Sequence, residues 1–509
     1  MEKRELEMRT VWEFMLIVLL IGILTSTFSI QPVKASETIY IKADGSIDPP
    51  TAPIQRDGDI YTITDNIYDE IVGERSNIVI NGNGYTLQGS GSGNGFHLDN
   101  VSNVTIKNTN IKGFSNGVYL YSSSNNILFG NNISACTYMG IYLKYSSNNT
   151  VSRNNVNATI NYDSIYLQYS SNFNSISSNN LTNNRSGVHL SDSSNNSISG
   201  NRIAENNAGV WLRGSSTYNC IEGNNITANG RGILLSSHYN SIKGNNVTAN
   251  YSGIQLGDLF EGSADYNRIS ENSITANDHS IVIEGGSSYN EFYHNNFIDN
   301  TPAIIYTVVN GTVVGTENTW DDGYPSGGNY WSDYEDKDQF SGIYQNETGS
   351  DGIGDTPYII EEFKNVSNID YHPLMGIFSD FNATSEHHVQ TICNSTISDF
   401  QFNGTAISFD VTGENGTTGF CRICVPTTFM NDAYKVFVNG TEVPHTLLPC
   451  SNSTHSYLYF TYNHSTQEVI IIPEFPSAMI FPLFIIFTLV ALMLRKKRGM
   501  EHPETWRLR

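Results

Sequence analysis

The sequence predicts an all-β protein: a right-handed parallel β-helix with three short strands per coil of about 22 residues, then an immunoglobulin-like β-sandwich and a C-terminal transmembrane helix. Three observations predict it. An Asn-Asn-aliphatic element, or a close variant, recurs with its apolar residue at Ile111, Ile133, Val156, Leu181, Ile203, Ile226, Val247, Ile274 and Phe297. A Gly-aliphatic-x-Leu element follows, as at Gly117–Leu120, Gly140–Leu143, Gly187–Leu190, Gly209–Leu212 and Gly232–Leu235, and then Asn-x-Ile, as at Asn196–Ile198, Asn219–Ile221, Asn240–Ile242 and Asn267–Ile269. Three apolar stretches parted by Asn, Gly and Ser suit three strands of three to five residues. A helix–turn–helix repeat needs about 33 residues or more, and the Leu-x-x-Leu-x-Leu pattern of leucine-rich repeats is absent.

Composition agrees. Of 509 residues only 15% are charged, with 50 acids against 27 bases and a net charge of −23. Such a field excludes nucleic acid as a partner. The polarity comes from uncharged Asn, Ser, Thr and Gly, which argues against a halophilic cytosolic enzyme. Aromatics at 11%, with many Ile and Val, exclude global disorder.

Residues 1–35 read as a signal peptide: the apolar run Val11–Ile30 follows Lys3, Arg4 and Arg9, and Val33-Lys34-Ala35 offers cleavage after Ala35. An uncleaved anchor is the alternative. After a lead-in at 36–56, the solenoid occupies 57–315, its first coils traced through Ile60–Ile63, Asn77–Ile80 and Asn103–Ile106. Stacking at about 4.8 Å puts like residues above like. Val118 and Leu120 turn inward, each worth about 1.5–3 kcal/mol when buried. Corner Asn residues tolerate left-handed backbone, and their stacked amides bond along a ladder. Gly supplies positive φ where the next strand begins.

The run Asn81-Gly-Asn-Gly-Tyr-Thr-Leu87 and the coils after it resemble the NosD-type β-helix family, within a wider group of carbohydrate-binding and sugar-hydrolase-like parallel β-helices. Asn318–Tyr334 and Gly349–Tyr358 resemble the segment that closes such helices in archaeal surface proteins. The resemblance covers 57–376. It implies the fold, and the family name implies copper handling for an oxidase-type enzyme, although most look-alikes carry only the helix.

Residues 316–376 form a Trp-, Tyr- and Asp-rich cap over the last rung. Asp336, Asp338, Asp351 and Asp355 are read either as solvated loop carboxylates or as an oxygen-rich Ca²⁺ site. Residues 377–472 alternate apolar and polar between Asn-Gly turns, which suits a sandwich. Cys393, Cys421, Cys424 and Cys450 suggest disulfides outside the cell, with buried thiols or a metal as alternatives; Cys136 and Cys220 are expected to be unpaired and buried. In 473–498, Pro473-Glu-Phe-Pro476 precedes the apolar run 477–494 and the basic stop Arg495–Arg498, with 499–509 a cytoplasmic tail. This tail resembles the PEF-type sorting signal of archaeal surface proteins, which a sortase-like enzyme processes; a plain transmembrane anchor is the alternative. Sequons such as Asn132-Ile-Ser134, Asn225-Ile-Thr227 and Asn246-Val-Thr248 suit a cell-surface glycoprotein.

Catalytic residues are not found. Glycoside hydrolysis needs two carboxylates about 5–9.5 Å apart in one groove, and Asp163, Asp192, Glu222 and Glu284 occupy different coil positions. Copper needs converging His, Met or Cys, whereas His189, His238, His279 and His294 are scattered and His387-His388 diverge on a strand. The third residue of Gly-aliphatic-x-Leu faces outward and is Tyr119, Tyr142, Tyr166, His189 and Trp211 in successive coils. This predicts an aromatic ladder able to stack on sugar rings. The expected function is non-catalytic binding of a polysaccharide or envelope glycan, or an envelope structure, requiring no cofactor. A carbohydrate-active enzyme and a copper-handling protein are the alternatives.

Overall fold

The computed structural model describes residues 38–474 except 158–161, 259, 302–303, 306–307, 310–311, 314–316, 364–365 and 431–432. The expected signal peptide and the span 477–494 lie outside the described residues. Among the described residues no helix is long and apolar enough to cross a membrane.

The three repeated elements become three parallel sheets, met in the order A, B, C along each coil. Sheet A has 13 strands, sheet B 12 and sheet C 11, a parallel β-helix of the right-handed type. Gly-aliphatic-x-Leu forms sheet A, where Val118, Ile141, Ile165 and Val188 stand in register. Asn-x-Ile forms sheet B and Asn-Asn-aliphatic sheet C, with Ile111, Ile133 and Val156 stacked coil on coil. These aliphatics are fully buried in one core running from Ile39 to Trp331. Pairing carries the solenoid beyond 57–315 on both sides: Ile39–Ile41 pairs in parallel with Ile71–Gly73, and Tyr330–Trp331 with Asn296–Phe297.

Each corner holds a buried asparagine ladder. At the B–C corner the amide Oδ1 of Asn154 accepts the backbone N–H and the Nδ2–H of Asn131, both at 3.0 Å, and Asn154 repeats this toward Asn179. The A–B and C–A corners carry the same device, as at Asn196–Asn219 and Asn206–Asn229. The left-handed residue is the one before the ladder asparagine, such as Arg153 (φ 55°) or Ala228 (φ 55°). The strand glycines also differ from expectation. Gly140 has no positive φ; a Cβ there would meet Ser164 O at 2.5 Å and Val156 Cγ1 at 2.4 Å. Glycine is required because the next coil passes too close for a side chain.

At the C-terminal end Trp320 stacks on Phe292 (4.1 Å) and Trp331 on Phe297 (4.2 Å), closing the core. Two five-stranded antiparallel sheets follow, packed around a second core that includes Val389, Phe409, Ile423, Val436 and Leu458. They join the solenoid directly: Asn296 and Phe378 exchange two hydrogen bonds, and buried Arg422 donates to Pro325 O. All six cysteines are free thiols. The expected disulfides are absent, although Cys393 and Cys421 stand opposite each other on adjacent strands.

Candidate functional site

The third positions of the sheet A strands form the expected ladder. His97, Tyr119, Tyr142, Tyr166, His189 and Trp211 stack with ring centroids 4.4–5.3 Å apart. Their exposure differs from the expectation. Tyr142 is 9% exposed, Tyr166 4% and His189 1%. Rings stacked this closely cover each other's faces, so the interior of the ladder has no free face for a sugar. Trp211, at its end, is flanked by the guanidinium groups of Arg185 and Arg213 at 5.7 and 5.3 Å from its ring. The Tyr142 hydroxyl donates to the Gln168 side chain.

Beneath this stack lies a charged network that the sequence reading missed. Asp163, fully buried, accepts from Arg185 Nε (3.0 Å) and Nη2 (2.6 Å) and contacts His189 Nδ1 at 2.8 Å. Burial pushes the Asp163 carboxyl up, but the hydrogen bonds and charges of His189 and Arg185 outweigh it and hold it below its ordinary value. Burial pulls the His189 imidazole down despite Asp163. Asp163 and Ile165 share strand parity, yet Ile165 faces the core and Asp163 the outer stack. The strand pairing skips Ser164, so the alternation breaks there.

A second aromatic row lies at the A–B corner and is exposed. Tyr218, Tyr239, Tyr266 and Tyr289 stack at 5.6, 5.1 and 5.1 Å, with planes within 17° of parallel. They are 46–63% exposed. Each immediately precedes a ladder asparagine and has φ of 57–61°. None of the four hydroxyls has a hydrogen-bond partner among the described residues. The same corner carries Phe173, 60% exposed, and the stacked pair Tyr145–Tyr169 at 5.5 Å, over which Lys144 lies.

The cap acids do not converge. Asp336 accepts from Thr356 Oγ1, and Asp355 from the backbone N–H groups of Gln339 and Phe340. Asp338 accepts from Asp351 N (2.9 Å) and Gly352 N (2.8 Å), and burial pushes it up to about 7. Asp351 accepts from Ile353 N. Asp351 closes a local turn, the other three tie separate loop segments together, and among the described residues no three His, Cys, Asp or Glu form a group able to hold a metal ion.

The fold and the two aromatic rows define a class: a β-helix with a ribbed outer surface. A family model described as periplasmic copper-binding protein (NosD) matches residues 31–198 and again 157–336, more than half of the chain. The chain belongs to the NosD family. No curated protein matches the sequence. Among solved structures it is similar to the Dettilon tailspike protein (14% identity, TM-score 0.38, covering 81% of this chain and 86% of that one). It is also similar to the A-module of the Azotobacter vinelandii mannuronan C-5 epimerase AlgE6 (15%, 0.39, 56% and 90%) and to the periplasmic alginate epimerase AlgG (15%, 0.35, 56% and 83%). At these values the likenesses bear on neither substrate nor activity.

The copper in the family's description does not fit the residues described. His189 is a single imidazole between two rings with Nδ1 committed to Asp163; His294 Nε2 is bonded to Ser326. The facing thiols Cys393 and Cys421 lie in the sandwich, outside the family match.

Proposed function

We propose that this chain is an exported β-helix that binds a neutral polysaccharide, as an adhesin or envelope component, without altering it. One observation carries the reading: the half-exposed row Tyr218, Tyr239, Tyr266 and Tyr289, one ring per coil. The fold does not select tyrosine there. Asn125, Asn148 and Asn195 fill the equivalent position at φ 57–59°, a conformation asparagine tolerates and a bulky residue adopts at a cost. Aromatic stacking returns part of that cost, but leaves apolar rings and unpaired hydroxyls in water. A glycan chain offers the complement, apolar ring faces alternating with hydroxyls. Its advance per extended pyranose is close to the coil spacing.

An exterior location is supported by the stretch Val11–Ile30, by the tail 477–494 as membrane tether and by the periplasmic description of the family. Asn132, Asn225 and Asn246 are exposed on sheet C, open to glycosylation. The Pro473–Pro476 motif suggests a sortase-like processing partner.

The test uses the full-length, detergent-solubilised protein on immobilised cellulose, chitin, mannan, starch, alginate and pectate, with and without Ca²⁺. Retention on a neutral polysaccharide without shortened or unsaturated products is expected, and its loss in Tyr239→Ala/Tyr266→Ala. Released products, or a double variant retained like wild type, overturn the proposal.

A further inference from the structure

We infer that His189 and Trp211 form a second saccharide subsite, on sheet A, in which His189 Nε2 accepts a sugar hydroxyl proton and Trp211 Nε1 donates to a sugar oxygen. The inference rests on the glycan-binding reading but uses other residues. Its basis is a set of buried polar atoms with no partner: His189 Nε2, Trp211 Nε1 and Ser186 Oγ, on two adjacent strands. Unpaired buried polar groups are destabilising, and native structures rarely hold several together without a ligand or water to satisfy them.

The geometry fixes what each atom can do. Asp163 stays ionised and takes the Nδ1 hydrogen, so the neutral imidazole of His189 keeps a lone pair on Nε2. Trp211 lies parallel to His189, 4.4 Å away with 5° between planes, and offers only an N–H. One acceptor and one donor in neighbouring parallel planes match the hydroxyls of a sugar, which donate and accept. Trp211 and Tyr218, the first ring of the tyrosine row, belong to one coil.

Two arginines border the site. Arg185 and Arg213 flank Trp211, their side chains 36% and 35% exposed. Arg213, held by Glu261 through a 3.0 Å ion pair between partly exposed side chains and by a hydrogen bond with Tyr166, is the less firmly anchored of the two, since Arg185 makes two bonds to buried Asp163. The charges of Asp163, Arg185, Arg213 and Glu261 cancel. In a chain of net charge −23 this favours a neutral saccharide over an acidic one.

The test compares full-length wild type, Trp211→Phe and Tyr239→Ala/Tyr266→Ala on whichever of cellulose, chitin, mannan and starch retains the wild type. Trp211→Phe keeps an aromatic ring against His189 and removes the N–H together with the five-membered ring that carries it. It should bind about 3–10-fold more weakly, with an unchanged unfolding midpoint. Wild-type affinity should also fall as pH is lowered through the depressed His189 pKa, because protonated Nε2 no longer accepts. The charged and titratable groups facing His189 are Asp163, Arg185, Arg213 and Tyr166. Arg185, Arg213 and Tyr166 stay protonated as the pH falls, and Asp163 is held below the ordinary carboxylate value by His189 and Arg185. Trp211→Phe binding like wild type, or affinity independent of acid pH, overturns the subsite. If the tyrosine double variant loses binding while Trp211→Phe does not, the subsite falls and the row stands. A wild type retained by none of the four overturns both.

Discussion

Adjacent residues Asn154 and Asn155 test the asparagine ladder against a built-in control. Asn154 is 1% exposed. Its side chain accepts two hydrogen bonds from Asn131 and donates to Leu128 O (2.9 Å), Ser152 O (3.1 Å) and Asn179 Oδ1 (3.1 Å). Asn154→Ala strips the Asn131 N–H of its side-chain partner and the Leu128 carbonyl of its Nδ2 donor, inside the wall of the solenoid. At about 1–3 kcal/mol for each orphaned group, the cost is about 2–6 kcal/mol. Asn155 also sits in a ladder, bonding Asn132 at 2.7 Å and receiving Asn180 at 2.6 Å, but on the outer surface. Water replaces those bonds, so Asn155→Ala should cost about 0.5 kcal/mol or less. Solenoids open coil by coil, so denaturant unfolding should be paired with amide hydrogen exchange over residues 127–182. Loss of protection there in Asn154→Ala, and not in Asn155→Ala, is expected. Equal effects within about 0.5 kcal/mol would refute the view that buried amide ladders hold the corners.

Other predictions follow the same logic. Tyr166→Ala, at a site 4% exposed between Tyr142 and His189, should destabilise the solenoid by about 3–5 kcal/mol in denaturant unfolding, rather than weaken binding alone. Gly140→Ala should be more destabilising than Gly223→Ala, because a Cβ at Gly140 meets backbone at 2.5 Å, whereas at Gly223, with φ 61°, nothing lies within 4 Å. Burial pushes Asp370 up to about 7 against N–H donors from Trp331, Asn329 and His372. The folded state then holds a proton that the unfolded chain releases near pH 4. Stability from this group is full below that pH and declines as pH rises to about 7, by up to about 4 kcal/mol. Asp370→Asn should abolish that decline in unfolding measured between pH 4 and 8.

The coils were legible in the sequence because in-register stacking makes each level repeat the chemistry of the last; Ile111, Ile133 and Val156 pair as their spacing implies. The ladder of Tyr119 to Trp211 was legible for the same reason, but its burial was not. Periodicity gives register and leaves open whether ring faces point to solvent or to each other. The exposed row is present as four Tyr-Asn dipeptides, at Tyr218, Tyr239, Tyr266 and Tyr289, but the same corner position holds Asn125, Asn148 and Asn195 in other coils, so the repeat pattern does not mark it. Asp163 was hidden by the break in alternation beside Ser164, which a strict two-residue period assigns to the wrong face. The strand glycines are expected from the pattern to supply positive φ; how closely the next coil passes, which is what requires them, is a tertiary distance that the repeat pattern does not carry. The cap acids read either as solvated loop carboxylates or as a Ca²⁺ site, and the sequence does not show the backbone N–H and hydroxyl donors that Asp336, Asp338, Asp351 and Asp355 accept from.

Where the glycan sits is tested most directly by hydroxyl-radical footprinting of the full-length protein, free and bound to the neutral polysaccharide that retains it. Tyr218, Tyr239, Tyr266 and Tyr289 should be oxidised readily in the free protein and protected in the complex, while exposed Tyr68 and Tyr344, 69% and 79% accessible and far along the chain, stay unchanged. Equal oxidation of the four tyrosines with and without bound glycan would contradict the assignment of that row as the binding surface.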